Sequence, residues 1–197
     1  GAFDTLPVDK RDQALRKTLA AIEAGGSVSS LPSDTQPGET AYELVVEEAA
    51  LENWIAQARK LGIVAVDTET TSLDAMQAEL VGLSLSVQAG RACYVPVAHK
   101  APNGQGALDL GDGGEASEEA PAQLSREKAL DLLAPLLEDP SILKIGQNIK
   151  YDALVLSRYG VNVAPIDDTM LLSFVLDGGR HGHGMDVLAE THLNMTT

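Results

Sequence analysis

The stretch Gly62–Glu69, GIVAVDTE, restricts the fold more than any other part of the chain. Its four apolar residues in a row, Ile63 to Val66, leave a strand without a polar face. A strand apolar on both faces is expected to be covered on both sides. The run is too short for a helix and rich in β-branched residues. It therefore belongs inside a sheet with helices on both sides, an α/β architecture. The run ends in two carboxylates. Residues two apart along a strand face the same way, so Ile63, Ala65, Asp67 and Glu69 share one face. Two like charges beside an apolar wall repel each other and lose hydration. Either a cation joins them or one keeps its proton, and adjacent oxygen donors suit Mg²⁺ or Mn²⁺. The plainer alternative is a strand that ends here with both side chains in water, and Asp-x-Glu by itself does not choose between the two.

The pattern around this strand extends the α/β reading. Tyr42–Val46 reads as a short strand. Glu47–Lys60 reads as a helix with Leu51, Trp54, Ile55 and Ala58 inward. Leu80–Gln88 and Arg91–Val97 form a hairpin about Ala89-Gly90. Ser125–Glu138 is a helix with Ser125 as N-cap, although Lys128 stands where a capping box would place an acid. Ile142–Gly146 is a buried strand, and Asn148–Tyr159 a helix stopped by Gly160. Asp168–Leu176 and Met185–Leu193 are further helices, with Asp167 or Asp168 as an N-cap. Three successive strands, then alternating helices and strands, predict a mixed β-sheet flanked by helices.

Residues 8–24 have helical spacing, with Leu15, Leu19 and Ile22 on one stripe, and 25–41 are rich in Gly, Ser, Pro and Thr. The expected organisation is an N-terminal helix and linker over 1–41, then a compact domain over 42–197. Residues 99–121, rich in Gly and acids, are expected to form a mobile surface insertion.

A second segment carries chemistry: Gly146-Gln147-Asn148-Ile149-Lys150-Tyr151-Asp152, which leaves a buried strand and opens a helix. Asn148 and Asp152, four apart, would share a helical face, with Asp152 favoured by the positive end of the helix dipole. From there Asp152 could reach a cation shared with Asp67. The alternative is structural, with Asn148 as cap and Asp152 as a first-turn acid.

Charge and composition narrow the partners. A net charge of −15 argues against strong, sequence-independent binding of nucleic acid by these residues alone, since affinity for phosphate comes largely from Lys and Arg. It does not exclude a metal-dependent nuclease, because bound cations reverse the local field. Cys93, the single cysteine, has no disulfide partner within the chain and reads as a small buried apolar residue, in keeping with a cytoplasmic protein. No signal-like segment and no long uncharged apolar run is present, so no membrane partner is expected. His181 and His183, in GGRHGHG, lack the spacing of a zinc site and read as a Gly-rich surface loop. Arg180 and Lys150 are single cations that could meet phosphate.

Taken together, the two carboxylate segments resemble the first and second motifs of the DEDD exonuclease superfamily, in the arrangement of the proofreading domain of bacterial, family-A DNA polymerase I. The resemblance continues through LVGLSLSVQAGRACYVPVAH, LLAPLLEDPSILKIGQNIKYDALVL and DDTMLLSFVLDGGRHGHGMDVLAE, covering residues 42–197. It implies a ribonuclease H-like fold and 3′→5′ exonuclease activity with two divalent cations, Mg²⁺ or Mn²⁺. Asp67 and Glu69 would hold the first cation, while Asp67 and Asp152 would hold the second. Leu73 matches a position packed on the terminal base, and Gln147 and Asn148 match positions near the terminal nucleotide. The implied partners are single-stranded or frayed DNA 3′ ends and a polymerase domain in the same parent chain. The family's third motif, Y-x-x-x-D, has no counterpart in the 197 residues. The expectation is therefore an incomplete site and weak or absent catalysis by this stretch alone. Two alternatives use the same residues: an RNA-trimming exonuclease of the ribonuclease D type, and a catalytically silent domain beside a polymerase. The hairpin and the LLEDPSILKIGQNIKYD run favour the polymerase version.

Overall fold

In the computed structural model, which describes residues 40–100 and 121–195, the elements follow in the order β1 (Ala41–Leu44), α1 (Glu48–Leu61), β2 (Ile63–Thr70), β3 (Leu80–Gln88), β4 (Arg91–Pro96), α2 (Arg126–Leu137), β5 (Leu143–Gly146), α3 (Lys150–Ser157), β6 (Ile166–Asp168), α4 (Thr169–Asp177) and α5 (Met185–Leu193). The six strands form one mixed sheet in the order β1-β4-β3-β2-β5-β6. The β2–β3 and β3–β4 pairs are antiparallel, and the β1–β4, β2–β5 and β5–β6 pairs are parallel. The helix expected over 8–24, the linker as far as residue 39, and residues 101–120 of the expected insertion lie outside the described residues.

Strand alternation assigns each side chain to a face. Val64 and Val66 of β2, Leu83 and Leu85 of β3, and Cys93 and Val95 of β4 all point to one side and are at most 3% exposed. Against them pack Leu51, Trp54, Ile55 and Ala58 of α1, together with Ala129, Leu130, Leu133, Leu136 and Leu137 of α2. Each fully buried Leu contributes roughly 1.5–3 kcal/mol. Burial pushes the Cys93 thiol up to about 12, so it is a packing residue and not a nucleophile. The two helices that build this layer end as their sequences dictate. α1 stops at Gly62, whose φ of 72° is left-handed and whose N–H donates to the Ala58 carbonyl. α2 starts at Ser125, whose side chain accepts from the Lys128 N–H at 3.2 Å, so the cap forms without the capping-box acid.

Three expectations need correction, and one strand has no counterpart among them. β2 is covered on one side only: Ile63 and Ala65 are exposed, and the face they share holds Ser84 and Ser86 of β3. A short apolar run reads the same whether or not its second face is covered, and the polar alternation of the neighbouring strand is what distinguishes the cases. Asn148 lies outside its helix, which runs Lys150–Ser157. Its φ of 55° puts it in the left-handed region, where Asn is better tolerated than most residues, so Asn148 and Asp152 do not share a helical face and Asn148 makes no side-chain cap. β6 is only three residues long with two acids, too short for pattern reading. His99, expected to begin the insertion, is instead fixed by hydrogen bonds to Tyr94 and Gln123.

Candidate active site

The site forms where two strands part. β5 pairs with β2 only from Ile63 to Ala65, so β2 continues for five residues without a neighbour on that side. The Thr68 N–H, beyond the end of the ladder, needs another acceptor. Asp152, in the first turn of α3, supplies it. Its Oδ1 accepts from the Thr68 N–H at 2.9 Å and from Thr68 Oγ1 at 2.5 Å. Asp152 is thereby buried to 4% exposure and anchored to the residue between Asp67 and Glu69. These two carboxylates point to the opposite face from the Thr68 side chain, Asp67 half-buried and Glu69 exposed. A register shift between Glu69 and Thr70 then turns the chain away from β3.

The charges act on one another. Burial first, then the negative charge of Asp152, then that of Glu69, hold the Asp67 carboxyl above its ordinary range. Burial also raises Asp152. The two Thr68 bonds pull it back, and the charge of Asp168 pushes it up again. Carboxylates held together in this way favour a proton or a cation. The donor set is oxygen only, which fits a hard divalent cation. Among the described residues no three His, Cys, Asp or Glu side chains converge on one point as they stand. Glu69 is exposed, so its rotamer can change without unpacking anything.

Beside the carboxylates lies an open hollow of about 350 Å³, lined by Thr68 to Leu73 and by Tyr151. Leu73, at 98% exposure, projects from its rim. Tyr151 braces the loop that carries it: its hydroxyl donates to the Ser72 carbonyl and shares a 2.5 Å hydrogen bond with Thr70 Oγ1. Gln147 lines a second hollow of about 290 Å³, on the open face of the sheet with Ala65, Asp67, Ser84 and Met185. Its amide is engaged, donating to the His183 carbonyl at 2.7 Å and accepting from Thr169 Oγ1 at 2.5 Å. Asn148 exposes its side chain, and its N–H donates to Asp168 Oδ1 at 3.0 Å. Asp168 also accepts from the N–H groups of Met170 and Leu171, which makes it the N-cap of α4. Of the residues singled out in the sequence, Asp152 is anchored on Thr68, between Asp67 and Glu69, without the three carboxylates converging on one point; Leu73 lines the hollow beside them, and Gln147 and Asn148 lie apart from it. Pattern reading passed over Thr68 and Tyr151. Both lie inside the two motifs, and their hydroxyls were the available signal.

A family model described as 3′-5′ exonuclease matches residues 42–197. A DNA polymerase I from Rhizobium leguminosarum is 49% identical over 177 residues, covering 85% of this chain and 16% of the relative. A DNA polymerase I from Pseudomonas aeruginosa is 37% identical over 189 residues, covering 94% of this chain and 18% of the relative. The chain thus spans less than a fifth of the length of these curated relatives. Among solved structures, Escherichia coli RNase D, an exoribonuclease involved in structured RNA processing, superposes with a TM-score of 0.55 at 19% identity, over 80% of this chain and 34% of that one. Brucella melitensis NrnC with bound Mg²⁺ superposes with a TM-score of 0.52 at 21% identity, over 79% of this chain and 61% of that one. These last two likenesses establish the fold, a ribonuclease H-like α/β sheet.

Proposed function

The chain belongs to the family of 3′-5′ exonuclease domains of DNA polymerase I, and from that premise we propose that Asp67, Glu69 and Asp152 are the catalytic carboxylates of a two-cation exonuclease that shortens DNA from the 3′ end. The observation that carries this reading is the docking of Asp152 on Thr68, which brings a third carboxylate to the Asp67–Glu69 pair where β5 leaves β2. Two cations, Mg²⁺ or Mn²⁺, would supply Lewis-acid chemistry here, activating the attacking water and offsetting charge on the leaving oxygen.

The chain's own residues divide the remaining work. Asp67 and Glu69 would hold one cation, and Asp67 and Asp152 the other. The Thr68 bonds keep Asp152 in one rotamer, so the second pair is preorganised. Leu73 would pack on the terminal base above the hollow, on a loop that Tyr151 keeps from collapsing. The exposed Asn148 side chain would approach the terminal nucleotide, and Gln147 would do so only on releasing His183 and Thr169. An unpaired 3′ end costs least to bring into such a site, which suits the removal of mismatched termini. With a net charge of −15, the grip on DNA would come from a polymerase domain in the same parent chain, in the cytoplasm. Among the described residues no helix is long and apolar enough to cross a membrane.

The test uses the natural chain extended through a Y-x-x-x-D segment, 5′-labelled single-stranded DNA, and Mg²⁺ or Mn²⁺. Stepwise shortening from the 3′ end should appear. It should fall about a thousandfold or more in Asp67→Ala, equivalent to a barrier rise of about 4 kcal/mol. Shortening that persists in Asp67→Ala would remove the carboxylates from the mechanism. Absence of shortening in both chains would favour a silent domain, and faster cutting of RNA than of DNA would favour a ribonuclease D-like role. The 197 residues alone should cut far more slowly than the extended chain, and equal rates would show that the third motif is dispensable.

A further inference from the structure

The open face of the sheet carries a hydrogen-bonded pair, Tyr94 and His99, that the exonuclease reading leaves unused. Tyr94 of β4 and Asp67 of β2 lie in one row, each opposite Ser84 of β3. The Tyr94 ring leans along the face over Gly82, the residue directly opposite Glu69. A Cβ built on Gly82 would overlap the Tyr94 hydroxyl and the ring atoms next to it. The hydroxyl therefore occupies the place of the side chain that Gly82 lacks. Directly opposed residues on antiparallel strands hold their Cβ atoms about 4.5–5.5 Å apart on the same face. By that spacing the hydroxyl stands beside the base of the Glu69 side chain. Burial, and after it the charge of Glu69, raise the pKa of the Tyr94 phenol, in keeping with that proximity.

The hydroxyl is also held from behind. Tyr94 Oη lies 2.7 Å from His99 Nε2, with the two rings edge to face at 5.7 Å. His99 is fixed in turn by Gln123, whose Oε1 accepts from the His99 N–H at 2.8 Å and whose Nε2 donates to the His99 carbonyl at 3.0 Å. A phenol has one proton to donate, and a carboxylate only accepts. With His99 Nε2–H donating to Tyr94 Oη, the phenolic proton is left to point at Glu69, directly or through one water.

We propose that Tyr94 is a positioning residue: seated in the notch at Gly82 and held by His99, its hydroxyl donates toward the Glu69 carboxylate and fixes the rotamer in which Glu69 meets a divalent cation. The inference rests on the exonuclease reading and adds Tyr94, His99 and Gly82 to it. It gives Gly82 a function, since any side chain there would evict the hydroxyl.

Mn²⁺ binding to the chain, followed by the electron paramagnetic resonance of the free ion, tests this without an activity assay. Tyr94→Phe removes one oxygen and keeps the ring. It should weaken Mn²⁺ binding about three- to tenfold, the range of one hydrogen bond. Gly82→Ala should do the same by displacing the hydroxyl. His99→Ala should follow, and His99→Gln, which keeps an N–H donor, should recover most of the loss. In the extended chain, Tyr94→Phe should raise the Mg²⁺ concentration needed for half-maximal cutting and leave the KM for DNA unchanged. Unchanged Mn²⁺ binding in Tyr94→Phe would overturn the positioning role. So would a raised KM for DNA at an unchanged Mg²⁺ requirement, which would make Tyr94 a substrate contact. In either case, weakened Mn²⁺ binding in Asp67→Ala would leave the exonuclease reading standing. Equal binding by Asp67→Ala and wild type would overturn both.

Discussion

The two faces of the central sheet are built from the same strands and have little else in common. On the closed face the row Val66–Leu85–Cys93 continues into Thr68–Leu83–Val95, sealed under α1 and α2. On the open face the row Asp67–Ser84–Tyr94 continues into Glu69–Gly82–Pro96, with small or polar side chains around the two carboxylates. The period of two lets one strand serve both purposes, because neighbours in sequence never compete for the same side. Stability can then be concentrated on one side and repelling charges tolerated on the other. Thr68 connects the two: its side chain lies on the closed face, and its bonds carry Asp152 to the edge of the open one.

The largest break in this comparison should come from the closed face. Leu83→Ala removes a side chain that is 0% exposed, in the middle of the core. A cost of about 3 kcal/mol in urea unfolding is expected, with Mn²⁺ binding by the folded fraction unchanged. A comparable loss of Mn²⁺ affinity would mean that the faces are coupled through the strand and do not act separately.

The closed face was the more legible of the two. The apolar spacing of Leu51, Trp54, Ile55 and Ala58 places a helix, and the alternation in LVGLSLSV places a strand, because burial selects residue types that repeat with a period. Asp67, Glu69 and Asp152 were visible as motif residues, but not how they meet. That depends on β5 pairing with β2 only from Ile63 to Ala65, a tertiary fact with no local signature. For the same reason pattern reading gave no hint of Lys144, which is 0% exposed in β5 with its ammonium donating to the carbonyls of Asp139, Ile142 and Ala164 at 2.9, 2.8 and 2.5 Å. A lysine inside a strand reads as solvated until the three carbonyls that replace water are known. Burial pushes it down to about 8. The Tyr94–Gly82 contact is equally silent, since a glycine in a strand announces a close approach but not its partner.

A smaller effect is expected where the faces join. Thr68→Val keeps the shape and removes the hydroxyl that donates to Asp152, leaving the backbone N–H as the remaining Thr68 donor. A hydrogen bond to a buried carboxylate is worth about 1.5–3 kcal/mol, so a loss of about 2 kcal/mol is expected in the same unfolding experiment. Unlike Leu83→Ala, this change should also weaken Mn²⁺ binding, because Asp152 then keeps only one of the two Thr68 bonds that fix its rotamer. A stability loss with Mn²⁺ affinity intact would separate Asp152 from the cation site.

The smallest effect, and the one of opposite sign, belongs to Asp67→Asn. Burial and the charges of Asp152 and Glu69 raise the folded-state pKa of Asp67 above its ordinary value of 3.8. A raised acid binds its proton more tightly in the folded chain than in the unfolded one. Its favourable contribution is complete below about 3.8 and is lost as the pH climbs through the folded-state value. Without a cation, the wild-type chain should therefore lose part of its stability as the pH rises from just above 3.8 toward neutrality. Asp67→Asn should show less of that decline and melt slightly higher at neutral pH. Half-exposed charges are screened, so the gain should stay below the Thr68→Val loss. Added Mn²⁺ should reverse the order, stabilising the wild type and leaving the Asn variant nearly unmoved. A variant less stable than the wild type without a cation would mean that Asp67 is held by favourable contacts and not by repulsion, and that its face is no less optimised for stability than the other.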